Sequence, residues 1–193
     1  AMASFCILSG VPVFRNTHEH QRLFLRNAFL LMRFRETQVI VFANQKGGCG
    51  KTSSTISTAA AFASLGYSAC VIDTDPQCNS TDNLGVDPDE TLRQGKYTLA
   101  DAYLSKVPAA RIAITPEGRF DGLISVVPGH RALSSVSARL ENEVLTLLTD
   151  ENSSDLDGED LRREHRMRLK RSIDSLRGHY DVVLIDTPPN LDF

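Results

Sequence analysis

Little in this sequence suits membrane insertion, zinc binding or charge-driven grip on nucleic acid. No charge-free apolar run approaches the roughly 20 residues that a membrane-spanning helix needs. Four cysteines, Cys6, Cys49, Cys70 and Cys78, include no CxxC pair. That argues against a disulfide framework or a zinc site and fits reduced thiols in a cytoplasm. The formal net charge is −3, so the molecule as a whole is not an electrostatic nucleic-acid binder, and any such contact needs a local basic patch. No internal repeat is visible. At 193 residues, 41% hydrophobic and 23% charged, the chain suits one globular domain or one domain with extensions.

What the sequence does have is concentrated in Lys46-Gly47-Gly48-Cys49-Gly50-Lys51-Thr52. The stretch follows the apolar run Val39–Ala43 and precedes an Ala/Ser/Thr-rich segment of helical character. Three glycines around two lysines have no packing rationale, but they suit a phosphate cradle. Glycine lets the backbone turn its N–H groups toward an anion, and the following helix adds its positive end. Lys51 can reach the β- and γ-phosphates, and the Thr52 hydroxyl can ligate Mg²⁺. Gly50-Lys51-Thr52 matches the end of the GxxxxGK[ST] pattern, but Gln45 stands where its first glycine would be, and Lys46 is an extra lysine. Cys49 sits where a helix N-terminus can lower a thiol pKa; the plainer reading makes it a spacer of the loop.

From Gln38 onward, strand and helix patterns alternate. Residues 38–43 read as a first strand, and residues 51–65 as a helix stopped by Gly66. Residues 68–73 read as a buried strand, and Thr98-Leu99-Ala100-Asp101 as a capping box. Leu123–Val127, stopped by Pro128-Gly129, is the third strand. Leu133, Val136, Leu140, Val144 and Leu147 recur at helical spacing. Residues 149–160 carry six acids and read as an exposed loop. Leu161, Leu169, Ile173 and Leu176 mark the next helix, ending at Gly178, and residues 180–186 are the fourth strand. Apolar strands separated by helices predict a parallel sheet covered on both faces.

Two more motifs end strands. Val71-Ile72-Asp73-Thr74-Asp75-Pro76-Gln77 places two acids at the C-terminal end of the second, where open α/β sheets hold their ligands. Leu184-Ile185-Asp186-Thr187-Pro188-Pro189 places another acid after the fourth, suited to Mg²⁺ directly or through water. A lone strand-end aspartate is more often a cap or turn former. Three such motifs in order are not explained that way.

Together, "ANQKGGCGKTSS", "VIDTDPQCNST", the "VPG" after the third strand and "YDVVLIDTPPNLD" resemble the ParA-type partition ATPases of the ParA/MinD group, which carry a deviant Walker A box. The Asp-Pro-Gln-x-Asn string favours ParA over MinD. The resemblance runs from about Arg35 to Asp192 and implies an α/β P-loop NTPase with a mainly parallel sheet flanked by helices, incomplete at its C-terminus. By position, it implies that Gly47, Gly48, Cys49, Gly50, Lys51, Thr52 and Ser53 bind ATP. It makes Thr52, Asp73 and Asp186 the Mg²⁺ set, with the two acids supporting the water shell, and gives Asp75 the attacking water. Lys46 matches a signature lysine that reaches across a nucleotide-sandwich dimer, so Lys46, Lys51 and Asp75 form the implied catalytic set. The implied setting is cytoplasmic and nucleoid-associated, with an ATP-dependent homodimer, a ParB-like partner and, for the full-length protein, nonspecific DNA. A membrane is not expected among its partners. Family members continue well past the third motif, so the resemblance implies a chain cut short. The alternatives are a non-catalytic nucleotide-binding fragment and a MinD-like membrane-associated ATPase.

Residues 1–37 form an N-terminal extension to the ATPase domain at 38–193. Ala1 before Met2 reads as a cloning remnant. Residues 20–35, with Arg22, Arg26 and Arg33 on one helical face, suit either a basic amphipathic helix for a membrane or an acidic partner, or a helix packed on its own domain. Alternatively, translation starts naturally at Met32. A second basic cluster, Arg162, Arg163, Arg166, Arg168, Lys170 and Arg171, reads as a solvated helix face or a contact for DNA phosphates. No aromatic residues interleave with it, so single-strand stacking is not expected.

Overall fold

The computed structural model describes residues 6–8, 11–13, 36–149 and 157–189. The chain divides into two units, 1–33 and 34–193. In the first, β1 (Cys6–Leu8) pairs antiparallel with β2 (Val11–Val13), Ile7 opposite Pro12. The helix expected over residues 20–35 lies outside the described residues.

The second unit is built on four parallel strands: β3 (Gln38–Phe42), β4 (Ala69–Asp73), β5 (Ile124–Val127) and β6 (Val182–Asp186). Their spatial order is β3-β6-β4-β5, so the first strand in sequence of this unit pairs with the last. All residues of β4, β5 and β6 are buried, as their uninterrupted apolar sequences predict. Alternation along each strand sorts them into two cores. Ala69, Val71, Ile124, Val126, Val182 and Leu184 face Ala59 of helix α1 (Lys51–Ser64). Cys70, Ile72, Val127, Val183 and Ile185 face the opposite layer, which includes α4 (Leu99–Leu104), α6 (Val136–Thr149) and α7 (Gly158–Asp174).

β3 departs from the expected two-sided cover. Ile40 and Phe42 pack on the α1 side, but Val39 and Val41 on the other face are 38% and 54% exposed. The cause is position: β3 ends the strand order, and the opposite helices pack over β4 and β6 instead. At the other margin, residue Ile114 exchanges two 2.8 Å backbone bonds with Val126.

The helices follow their local signals. α1 closes before Gly66, which takes the left-handed conformation at φ 86°. Short helices α2 (Asn79–Asn83), α3 (Pro88–Arg93) and α5 (Ala109–Ile112) fill the crossovers. Asp101 reaches back to the Thr98 amide at 2.8 Å to cap α4. The expected helix around Leu133–Leu147 opens with a 3-10 turn at Arg131–Ser135 and continues as α6. The acidic segment is less loop-like than expected. α6 runs to Thr149, Asp157 caps α7 through the Glu159 amide, and residues 150–156 lie outside the described residues.

Candidate functional site

The parallel register sets three strand ends side by side. Phe42 pairs with Asp186, and Asp186 pairs with Asp73. Asp73 and Asp186 share their pleat parity with Val71 and Leu184, so both carboxylates lie toward the α1 side. The glycine loop leaves β3 at this same end and feeds into α1.

Residues 43–50 of that loop are exposed. The Asn44 side chain accepts from the Lys46 amide at 2.9 Å and closes the first turn. Gly48 and Gly50 take φ of 67° and 84°, and added Cβ atoms would meet nothing within 4 Å. Their requirement is therefore conformational, not steric crowding. Gly50 ends the loop as the helix N-cap without a side-chain cap, and the first turn of α1 carries no acid. Its leading amides are left for an anion. Lys46 is exposed and Lys51 half-buried, and neither is paired with a carboxylate among the described residues. Cys49 and Ser53 are exposed, Thr52 half-buried.

Asp186 is 1% exposed. Its Oδ2 accepts from Thr52 Oγ1 and from Ser80 Oγ, each at 2.7 Å. Its Oδ1 is buried with no partner among the described residues. Such an orphaned buried oxygen costs on the order of 1–3 kcal/mol. The Asp186 carbonyl, in turn, accepts from the Thr74 amide at 3.0 Å and the Thr74 hydroxyl at 2.8 Å, tying β6 to the turn after β4.

Asp73 is fully buried, and three donors engage its carboxylate. Oδ2 accepts from Thr81 Oγ1 at 2.7 Å and Thr81 N at 2.9 Å; Oδ1 accepts from the Asp75 amide at 3.1 Å. Burial nevertheless pushes its pKa up to about 6, with a smaller push from Asp186, against the lowering effect of the donors. Asp75 Oδ1 accepts from the Gln77 amide at 2.9 Å, and its carbonyl from the Cys78 amide at 3.0 Å. Cys78 then takes the left-handed region at φ 58°.

A hydroxyl, an orphaned carboxylate oxygen and a second buried carboxylate converge where the glycine loop enters α1. Hard oxygen donors around local negative charge suit Mg²⁺, so the residues present fit such an ion. Thr52, Asp73 and Asp186 are brought together as expected from sequence, with Asp75 beside them. Ser80, Thr81 and Gly129 were missed. The first two follow Asn79 directly, and paired hydroxyls next to strand-end acids were the available signal. Gly129 lies so close to the turn after β4 that a Cβ there would stand 3.0 Å from the Asp73 carbonyl oxygen, 3.1 Å from that of Asp75 and 3.2 Å from Asp73 Cγ.

The second basic cluster is not an open cationic face. Arg162 pairs with Glu141 at 2.7 Å, Arg166 with Glu159 at 2.8 Å and Lys170 with Asp174 at 2.7 Å, while Arg171 pairs with Glu164. Arg168 is buried between Glu143 at 2.8 Å and the Tyr103 carbonyl at 2.8 Å. Only Arg163 of the six has no acidic partner among the described residues.

Residues 37–193 match a family model described as AAA domain. The chain is 33% identical over 155 residues to the chromosome partitioning protein ParA of Caulobacter vibrioides (strain NA1000 / CB15N), covering 80% of this chain and 49% of that one. It is 27% identical over 154 residues to the sporulation initiation inhibitor protein Soj of Bacillus subtilis (strain 168), covering 80% and 51%. A solved structure of cobyrinic acid a,c-diamide synthase from Mycobacterium smegmatis, with bound ATP analog and magnesium, superposes with a TM-score of 0.60 at 28% identity, covering 80% of this chain and 52% of that one. The chain spans about half the length of these relatives. With the family model spanning all four parallel strands and the glycine loop, and with ParA and Soj proteins among its relatives, the chain belongs to the AAA domain family.

Proposed function

We propose that the chain binds ATP with Mg²⁺ and, as part of a ParA-type protein, hydrolyses it to drive plasmid or chromosome partition. One observation carries this reading. An uncapped helix N-terminus, two lysines without acidic partners among the described residues and the bonded pair Thr52–Asp186, with its orphaned oxygen, meet at one strand end.

In this mechanism, Lys51 and the amides from Gly47 to Ser53 hold the phosphates. Thr52 and Asp186 would hold the metal with Asp73 supporting them, and Mg²⁺ would supply charge compensation for the transferring phosphoryl group. Asp75 orients the attacking water: its Oδ1 is fixed by the Gln77 amide, while its Oδ2 has no partner among the described residues. Exposed Lys46 is free to reach a second protomer's phosphates, so dimerisation would govern turnover. A ParB-like partner would stimulate hydrolysis, and the full-length protein would hold nonspecific DNA and sit on the nucleoid. The ion pairs along α7 favour a DNA surface elsewhere than the cluster at residues 162–171. Among the described residues no helix is long and apolar enough to cross a membrane.

The test is ATP turnover and light scattering with Mg²⁺-ATP, in wild type and in Asp75→Ala and Lys46→Ala. Asp75→Ala should bind ATP and dimerise without turnover. Lys46→Ala should bind ATP as a monomer. Wild-type nucleotide binding without dimer or turnover would favour the non-catalytic alternative. Undiminished turnover in Asp75→Ala would remove its assigned role.

A further inference from the structure

Asp186 and Asp73 end adjacent strands, and two consecutive hydroxyls divide them. Ser80 Oγ donates to Asp186 Oδ2 at 2.7 Å. Thr81 donates twice to Asp73 Oδ2, from Oγ1 at 2.7 Å and from its amide at 2.9 Å. Both residues are fully buried. Successive helical residues point about 100° apart, so one turn of α2 straddles the two strand ends. The Thr81 hydroxyl also accepts the Gly129 amide at 3.0 Å, which commits its hydrogen to Asp73.

Thr52 and Ser80 share one acceptor, but their prospects differ. Thr52 stands at the anion cradle, and a hydroxyl that turns to a cation weakens its bond to Asp186. Ser80 is fully buried beside the carboxylate and is the donor that stays. Asp186 Oδ1, buried and unpartnered, keeps its direction only if the rotamer is fixed from elsewhere. The geometry points to Ser80 and Thr81 as positioning residues that hold the two carboxylates in the orientation a magnesium-bound nucleotide requires. Neither hydroxyl touches the nucleotide; each acts through one carboxylate. Outer partners of this kind typically change metal affinity 10–100-fold when removed.

This inference rests on the Mg²⁺-ATP reading above, and one experiment separates the two. A fluorescent ATP analogue is titrated into the full chain in EDTA and across a Mg²⁺ series. Wild type should bind more tightly as Mg²⁺ rises. Ser80→Ala and Thr81→Val should each raise the half-saturating Mg²⁺ about tenfold, leave affinity in EDTA unchanged, and Thr81→Ser should restore most of the loss. An unchanged Mg²⁺ requirement in either folded variant overturns the inference. So does an equal loss with and without Mg²⁺, which marks a merely structural role. Should Thr81→Val not fold, Thr81→Ala takes its place. A wild type indifferent to Mg²⁺ would instead overturn the parent reading.

Discussion

Thr52 and Asp186 lie 134 residues apart in sequence, yet the Thr52 hydroxyl donates to the Asp186 carboxylate at 2.7 Å. The bond joins the start of α1 to the end of β6 and brings the first of the three sequence motifs to the last. It follows from strand order. β6 inserts directly beside β3, so whatever follows β3 faces whatever ends β6. A single hydroxyl at position 52 thereby serves both as a structural donor and as a candidate metal ligand.

Replacing that hydroxyl separates the two roles. Thr52→Val keeps the side chain's branching and removes the donor. Without ligand, Asp186 Oδ2 retains Ser80, so stability should fall by only about 1 kcal/mol. The Mg²⁺-dependent gain in ATP affinity should vanish, while weak metal-free binding through Lys51 and the loop amides persists. Calorimetric titration with and without Mg²⁺ reads both. A retained Mg²⁺ effect would remove Thr52 from the metal set.

Gly129 makes a different kind of prediction. Its φ is not in the left-handed region, so space rather than backbone freedom demands glycine. A methyl group would stand 3.0 Å from one carbonyl oxygen and 3.1 Å from another, and backbone does not yield as a flexible side chain does. Gly129→Ala should therefore cost about 1–3 kcal/mol, measured as a lowered denaturation midpoint with unchanged slope. It should also displace Asp73, so ATP affinity in Mg²⁺ should fall in the folded variant.

Much of this was legible because it is local or periodic. The loop glycines, the Thr98–Asp101 cap and the buried strands β4 to β6 declare themselves within a few residues. Pleat parity even aligns Asp73 with Asp186, once their strands are known to be neighbours. The strand order itself was not legible, and so neither were the open face of β3 at Val39 and Val41 and the pairing of Ser80 with Asp186. The basic run at 162–171 misleads for the same reason. Glu141 and Glu143, which offset two of its arginines, belong to another helix, and periodicity within α7 says nothing about them.

The raised pKa of Asp73 has a pH signature in the metal-free protein. A carboxyl whose folded pKa rises from 3.8 to about 6 holds its proton more tightly folded than unfolded. Its contribution to stability is therefore fully present below about pH 4 and is lost as pH rises through 6. The size is on the order of 3 kcal/mol. Chemical denaturation in EDTA at intervals from pH 4 to 7 measures it. The stability of wild type minus that of Asp73→Ala should decline across this window and level off above it. A difference that grows with pH would mean that the donors at Thr81 and Asp75 outweigh burial.

Arg168 and Arg163 provide the contrast that tests the reading of α7. The Arg168 side chain is 3% exposed, bonds Glu143 with two nitrogens and donates to the Tyr103 carbonyl, so it links α4, α6 and α7. Its Nε is buried without a partner among the described residues, so the site is not fully satisfied even in wild type. Arg168→Ala leaves a cavity and an unpaired carbonyl. Glu143 is 41% exposed in its side chain and can be rehydrated, which keeps the loss below that of a fully buried pair. The expected cost is about 2–3 kcal/mol. Arg168→Met fills the space without the charge and should recover about 1 kcal/mol of it. Arg163→Ala, with no acidic partner to lose among the described residues, should stay within about 0.5 kcal/mol. Denaturant midpoints for the three variants decide the matter. Equal effects at 163 and 168 would mean that these arginines act as one solvated face after all, and the surface would again qualify as a candidate contact for DNA phosphates.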